Sequence, residues 1–354
     1  MHWELSEEQE LFASSLRDWI GAKFPIDTVR ELVTSGETAN VTAALIGEGW
    51  WGVGYPEEVG GEGGGVLELA LAAREFGRGA VPDSSWMAAA LVSPLLTGDE
   101  LAAQLSGERR FALVVRADRV PGAAPVAANG GRLIGAVPHV LGAAEADVLL
   151  VPVWAASGLV IARVPAAQTV RTAGDLLDRA RSVSTVEFTG ALATEVVPAG
   201  DALSRVADLA AVLVAADALG SAERMLDLAV AYSKQRKQFG QFIGAFQAVK
   251  HAAAQMLVTV EAAYSTALYA AAAVQAARAD AATVAAVAKA QVTGPVAGLA
   301  DSALTVHGAI GYTWEHDLHL FYKRAKLDRV LFGAPAAWNE RIATALLGAP
   351  GVGE

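Results

Sequence analysis

Residues 203–234, 245–278 and 281–305 are apolar nearly all round, rich in alanine and poor in charge. Runs like these read as helices covered on several sides, as in a bundle. A helix of about 30 residues spans about 45 Å. A small monomer does not cover that length, so the pattern implies an oligomer. A membrane span is not expected. Residues 262–277 (AAYSTALYAAAAVQAA) carry Ser, Thr and Gln and fall short of the roughly 20 apolar residues a span needs.

The rest of the chain divides around this bundle. LSEEQELFASSLRDWI places Leu5, Leu11, Phe12, Leu16, Trp19 and Ile20 on one helical stripe with acids opposite. Ser6 with Glu7, Glu8 and Gln9 suits a helix start. Further helices are expected at 39–48, 66–77 and 84–96, with the glycine- and proline-broken GWWGVGYPEEVGGEGGG loop (49–65) between them. From about 110 to 199 the chain turns to short apolar pieces, FALVV, DVLLVPV, GLVIARV and VSTVEF, separated by turn residues. These are strand-length and predict a small β domain. The expected division is 1–108 all-α, 109–200 β and 201–354 helical bundle. No internal repeat or low-complexity linker is visible.

Composition narrows the function classes. The net charge of −11 argues against general nucleic-acid binding. The absence of cysteine excludes disulfides, thiolate metal sites and a cysteine nucleophile. MHWELSEEQE lacks an apolar signal core, so a cytoplasmic location is the expectation.

Two stretches suit chemistry. RKQFGQFIGAFQAVKH (236–251) sets Arg236, Gln238, Phe239 and Gln247 around a glycine turn between two long helices. Arg236 offers a planar donor fork for phosphate, the glutamines offer amide donors, and Phe239 offers an aromatic wall. The alternative is a charged helix–helix turn with buried phenylalanines. TVHGAIGYTWEHDLHLFYKRAK (305–326) has a glycine-broken helix end where backbone can approach a ligand. His307, His316 and His319 with Glu315 and Asp317 lack zincin spacing. They read as polar contacts at a subunit junction.

Both stretches, with LSEEQELFASSLRDW, the 49–65 loop and EFGRGAVP, resemble the acyl-CoA dehydrogenase family over almost the whole chain, in the same order. The resemblance implies a multidomain α+β fold: an N-terminal helical domain, a middle β-barrel-like domain and a C-terminal four-helix bundle. It implies FAD at an interface between subunits, an acyl-CoA substrate, and electron-transferring flavoprotein as acceptor. By the same resemblance Arg236, Gln238 and Phe239 reach the FAD of a neighbouring subunit. Gln247 and the turn Thr305, His307, Gly308 and Ala309 contact the same flavin. The family usually has Gln where Thr305 stands.

The resemblance breaks at the catalytic base. The usual glutamate position is Phe332, and the minority position on the first bundle helix is Ala210. Asp208 and Asp217 are the nearby acids. The flavin-ring loop and strand of the family are also missing from RADRVPGAAPVAANGGRLIGAVPHVLGAA. The cross-interface motif is kept while the chain's own half of the site is lost. That asymmetry implies a non-catalytic subunit of an α2β2 heterotetramer with a homologous catalytic chain. Several such assemblies act on steroid-CoA thioesters. A self-sufficient flavoenzyme with a displaced base and a non-enzymatic scaffold are the alternatives.

Overall fold

The computed structural model describes residues 5–36 and 38–348. Six helices open the chain: α1 (Glu7–Lys23), α2 (Ile26–Ser35), α3 (Ala39–Gly47), α4 (Val66–Gly79), α5 (Ser84–Val92) and α6 (Gly98–Leu105). Local chemistry sets their starts. The Ser6 hydroxyl accepts the Gln9 N–H at 3.2 Å, and the Gln9 side chain accepts the Ser6 N–H at 3.0 Å. This reciprocal cap satisfies two donors that the first turn leaves free. Thr97 and Glu100 repeat the device at α6.

The middle of the chain forms eight strands. They are β1 (Phe111–Leu113), β2 (Val126–Asn129), β3 (Arg132–Leu141), β4 (Val148–Ala155), β5 (Gly158–Pro165), β6 (Val170–Ala173), β7 (Val183–Leu192) and β8 (Glu195–Pro198). They make two four-stranded sheets, ordered β1-β4-β5-β8 and β2-β3-β7-β6. β1 runs parallel to β4, and every other pairing is antiparallel. Alternating residues such as Leu133, Val137, Leu149, Val151, Val186 and Phe188 fill a core of their own. β3 is irregular between Val137 and Val140, and His139 there has φ of +56°.

The C-terminal part holds α7 (Ala202–Gln235), a short hairpin of β9 (Lys237–Gln238) and β10 (Gln241–Phe242), α8 (Gln247–Gln275), α9 (Ala281–His307), α10 (Leu318–Val330) and α11 (Pro335–Leu347). α7 is the axle. It packs on α4 as well as on α8, α9 and α10. The α4–α7 crossing is a backbone contact: a Cβ on Gly220 would lie 1.8 Å from the Arg74 carbonyl, and one on Gly77 2.1 Å from that of Asp217. Only glycine at both positions permits it. The main core runs without a break from the N-terminal helices through this bundle.

One expectation from the sequence changes here. α8 is not covered on several sides. Its inner face, including Met256, Val260, Ala263 and Ala267, packs inward, while Leu257 and Val258 are 49% and 60% exposed. By length and apolar composition α8 is long enough to cross a bilayer. Its packing on α7 and α9 is that of a bundle helix with one open side.

Candidate functional site

Two regions carry the chemistry that the sequence singles out, and the structure treats them in opposite ways. The first is the arm between α7 and α8. β9 and β10 pair Gln238 with Gln241, which leaves Phe239-Gly240 as a two-residue loop. Both loop residues have positive φ, +51° and +79°. That is the hairpin turn normally given to Asn-Gly. Phenylalanine pays strain there, and its ring is 92% exposed. The arm is anchored from inside by the Ile243 N–H on the Arg236 carbonyl at 2.8 Å.

Beside the arm lies an open groove of about 440 Å³. Gln238, Phe239, Ile243, Phe246, Val249 and Val306 supply much of its wall, with Ser302 and Thr305 on its polar side. Thr305 spends its hydroxyl hydrogen on the Asp301 carbonyl at 2.8 Å. The Arg236 guanidinium is exposed and has no ion pair or hydrogen bond among the described residues. Gln247 begins α8 and is exposed, as are Gly308 and Ala309 beyond the end of α9. The structure therefore gathers Gln238, Phe239 and Thr305 on one groove and sets Arg236, Gln247, Gly308 and Ala309 on open surface.

His307 goes elsewhere. It is 4% exposed and stacks on Tyr232 at 4.7 Å, and its Nδ1 lies 2.7 Å from the Ala303 carbonyl. Burial, with His316 nearby, holds its pKa below the ordinary value. His316 lies outside the helices. It sits in the turn before α10, and its Nδ1 accepts the Leu318 N–H at 3.1 Å. Sequence reasoning missed Ile243, Phe246 and Val249 as groove residues. Their signal is the apolar run that resumes directly after the glycine turn.

The second region is the turn after α10. Phe332 is 1% exposed with φ of +55°. Its N–H donates to the Ala117 carbonyl at 2.6 Å, and its own carbonyl accepts Trp338 Nε1–H at 3.0 Å. Lys289 on α9 donates to the carbonyls of Asp328 and Gly333 at 3.0 and 2.9 Å. Burial lowers the Lys289 pKa to about 7. A Cβ on Gly333 would lie 2.9 Å from a Val120 methyl. The Ala117–Val120 segment is thus folded against the turn, fixed from the other side by the Ala117 N–H on the His139 carbonyl. Peptide and aromatic ring fill the place where the resemblance sets a carboxylate.

The two nearby acids, Asp217 and Asp208, are engaged elsewhere. Ala210 is fully buried. Asp217 is gripped by Arg324 at 2.8 and 2.5 Å and by Arg181 at 2.9 Å. Burial alone would raise its pKa, but the two guanidiniums outweigh it and hold the carboxyl below its usual range. Asp208 faces α11, 3.9 Å from Arg341, and burial pushes it up to about 6. The buried pairing of Asp217, Arg181 and Arg324 went unread in the sequence, because its members lie up to 143 positions apart (324 − 181) with no local signature.

Comparison with known proteins places this geometry. The acyl-CoA dehydrogenase C-terminal domain profile matches residues 202–347, and the N-terminal domain profile matches residues 6–99. The acyl-CoA dehydrogenase FadE34 of Mycobacterium tuberculosis is 35% identical over 96% of this chain and 47% of its own length. The chain therefore spans about half of that relative. Among solved structures, the ChsE4-ChsE5 complex from Mycobacterium tuberculosis matches with a TM-score of 0.85 at 26% identity, covering 99% of this chain and 100% of that one. The Tcur3481-Tcur3483 steroid acyl-CoA dehydrogenase, a G363A variant, matches with a TM-score of 0.85 at 25% identity over 96% and 98% of the two chains. Two profiles in the right order, laid over the same succession of helices, sheets and helices, lead to one conclusion: the chain belongs to the acyl-CoA dehydrogenase family.

Proposed function

We propose that this chain is the non-catalytic half of a two-chain, flavin-dependent acyl-CoA dehydrogenase. In this reading it completes the FAD site of a homologous catalytic partner. The observation that carries it is the contrast between a sealed turn at Phe332 and an open, unpartnered arm at Arg236–Gln247. The arm fits a dinucleotide. A free guanidinium fork suits a phosphate, and an exposed aromatic ring beside an apolar groove suits a flat ring system. At the usual base position the chain is closed, because Ala117–Val120 packs on the Phe332 turn. When bound, FAD accepts the β hydride of an acyl-CoA thioester.

The residues of this chain then bind and exclude rather than react. Arg236 and Gln238 bind the cofactor's polar groups, Phe239 walls it, and the exposed face of α8 meets the partner's bundle. The partner supplies the base. The two solved structures named as pairs support an assembly of two different chains. The one described as a steroid enzyme favours a bulky, steroid-type acyl-CoA. A cytoplasmic enzyme passing its electrons to electron-transferring flavoprotein completes the proposal.

The test is turnover of the chain expressed alone and together with a homologous chain that carries the glutamate. Loss of a general base costs about 10²–10⁴-fold, so the lone chain should be nearly inactive and the pair active. Full dehydrogenation by the lone chain overturns the proposal.

A further inference from the structure

Four aspartates and two arginines meet, shut off from water, where the three parts of the chain join. Asp83 comes from the start of α5, Asp178 and Arg181 from the segment before β7, Asp217 from α7, and Arg324 and Asp328 from α10. None is more than 3% exposed. Arg181 Nε lies 2.9 Å from Asp83, and Arg324 Nη2 lies 3.1 Å from the same carboxyl. Both guanidiniums also hold Asp217. Asp178 accepts the Ala180 N–H at 3.0 Å. Lys289 of α9 stands alongside with its ammonium on the Asp328 carbonyl. Lys323 is within electrostatic reach of both Asp178 and Arg179.

The charges do not balance as written. Four buried carboxyls face two buried guanidiniums, Arg181 and Arg324, and the Lys289 ammonium, its pKa lowered to about 7, does not make up the difference at neutral pH, so negative charge is in surplus. A surplus charge without water is costly, and a group in that position takes up a proton instead. Asp328 is the place for it. Both its carboxyl oxygens are buried and find no donor, and the closest cation, Arg181, stands 3.7 Å away. The two carboxyls stand on one nitrogen: Arg181 Nη2 lies 2.9 Å from Asp217 and 3.7 Å from Asp328. Two ionised carboxylates repel; with a proton between them, one donates to the other. Asp217 has both arginines, so its charge is the one retained.

We propose that Asp217 and Asp328 share one proton at neutral pH, carried on Asp328, and that this proton balances the junction that ties the helical, β and bundle parts together. Burial, reinforced by the neighbouring Asp217, pushes Asp328 well above the usual carboxylate range. The folded chain therefore keeps a proton that the unfolded chain releases near pH 4. Stability from this group is complete below that pH and falls as pH rises toward the folded value. Asp83 and Asp178 are also raised by burial. Lys289, lowered to about 7, acts with the opposite sign at the top of the range. A comparison with a variant of Asp328 alone cancels these shared contributions.

The variant is Asp328→Asn in the full chain, which keeps a neutral donor of the same shape. Its melting temperature should gain on that of the native chain by several degrees between pH 5 and pH 7. Parallel profiles for the two proteins overturn the proposal. The second measurement is the infrared band of a protonated carboxyl in the native chain at pH 7. Its presence, with a shift in Asp328→Glu that separates it from Asp83 and Asp178, supports the shared proton even if D328N fails to fold. Its absence overturns the proposal whatever the variant does.

Discussion

The arm at Arg236–Gln247 and the turn at Leu331–Gly333 both contain a phenylalanine with positive φ, and the two are handled in opposite ways. Phe332 is buried, and both its backbone hydrogen-bonding groups are used. Phe239 is 92% exposed on a strained hairpin loop. A strained, buried residue is held by its surroundings. Phe239 meets the Phe246 ring edge-on, with centroids 6.2 Å apart, but stays largely open to solvent, and strained residues of this kind cluster at functional sites. In the proposed reading, the Phe332 turn is finished within the chain and the arm is completed by a partner.

The strongest challenge to this contrast is to put a carboxyl at the Phe332 position. Phe332→Glu buries a carboxyl in a site whose nearby amine, Lys289, already donates to three carbonyls. The expected outcome in a denaturant melt is a loss of about 3–5 kcal/mol, with no dehydrogenation by the lone chain. A stable, active variant would show that the turn is not sealed.

Arg236→Ala probes the other side. The guanidinium has no ion pair or hydrogen bond among the described residues, so melting of the isolated chain should not move. Loss of a charge-assisted phosphate bond costs about 1.5–3 kcal/mol, or roughly 10–100-fold in FAD affinity of the assembled pair, measured by flavin titration. Unchanged affinity would make the arm a simple turn.

Asp208 sharpens the case against a displaced base. Its pKa is raised to about 6. The stability tied to its proton is therefore present below pH 4 and lost as pH rises through 6. Asp208→Asn should flatten that part of the pH–stability curve by about 1–2 kcal/mol, less than the roughly 3 that two pK units would give because the carboxyl is partly open to solvent, while turnover of the pair stays the same. A collapse in turnover would make Asp208 the base.

Phe239→Asn is the smallest expected effect. Asparagine tolerates this backbone, so the isolated chain should gain about 1 kcal/mol, and the pair should hold FAD less tightly. A gain in stability with no cost in flavin binding would mean the exposed ring has no partner.

Much of the fold was legible. The apolar runs gave the long helices to within a few residues, as α7 at Ala202–Gln235 and α9 at Ala281–His307 show. Alanine-rich periodicity does not say which face is covered, so the open side of α8 was not legible. The arm residues stood out because Arg and Phe beside a glycine turn conflict with an apolar bundle. The sealing of Phe332 by Ala117 and the charges at Asp83, Arg181 and Arg324 are long-range contacts, and only the folded chain brings them together.

The most direct test of the central claim is the flavin content of the complex purified with its homologous partner. The account predicts about one FAD for every two chains, released when Arg236 is removed. One FAD on every chain, with this chain turning over an acyl-CoA by itself, would contradict it.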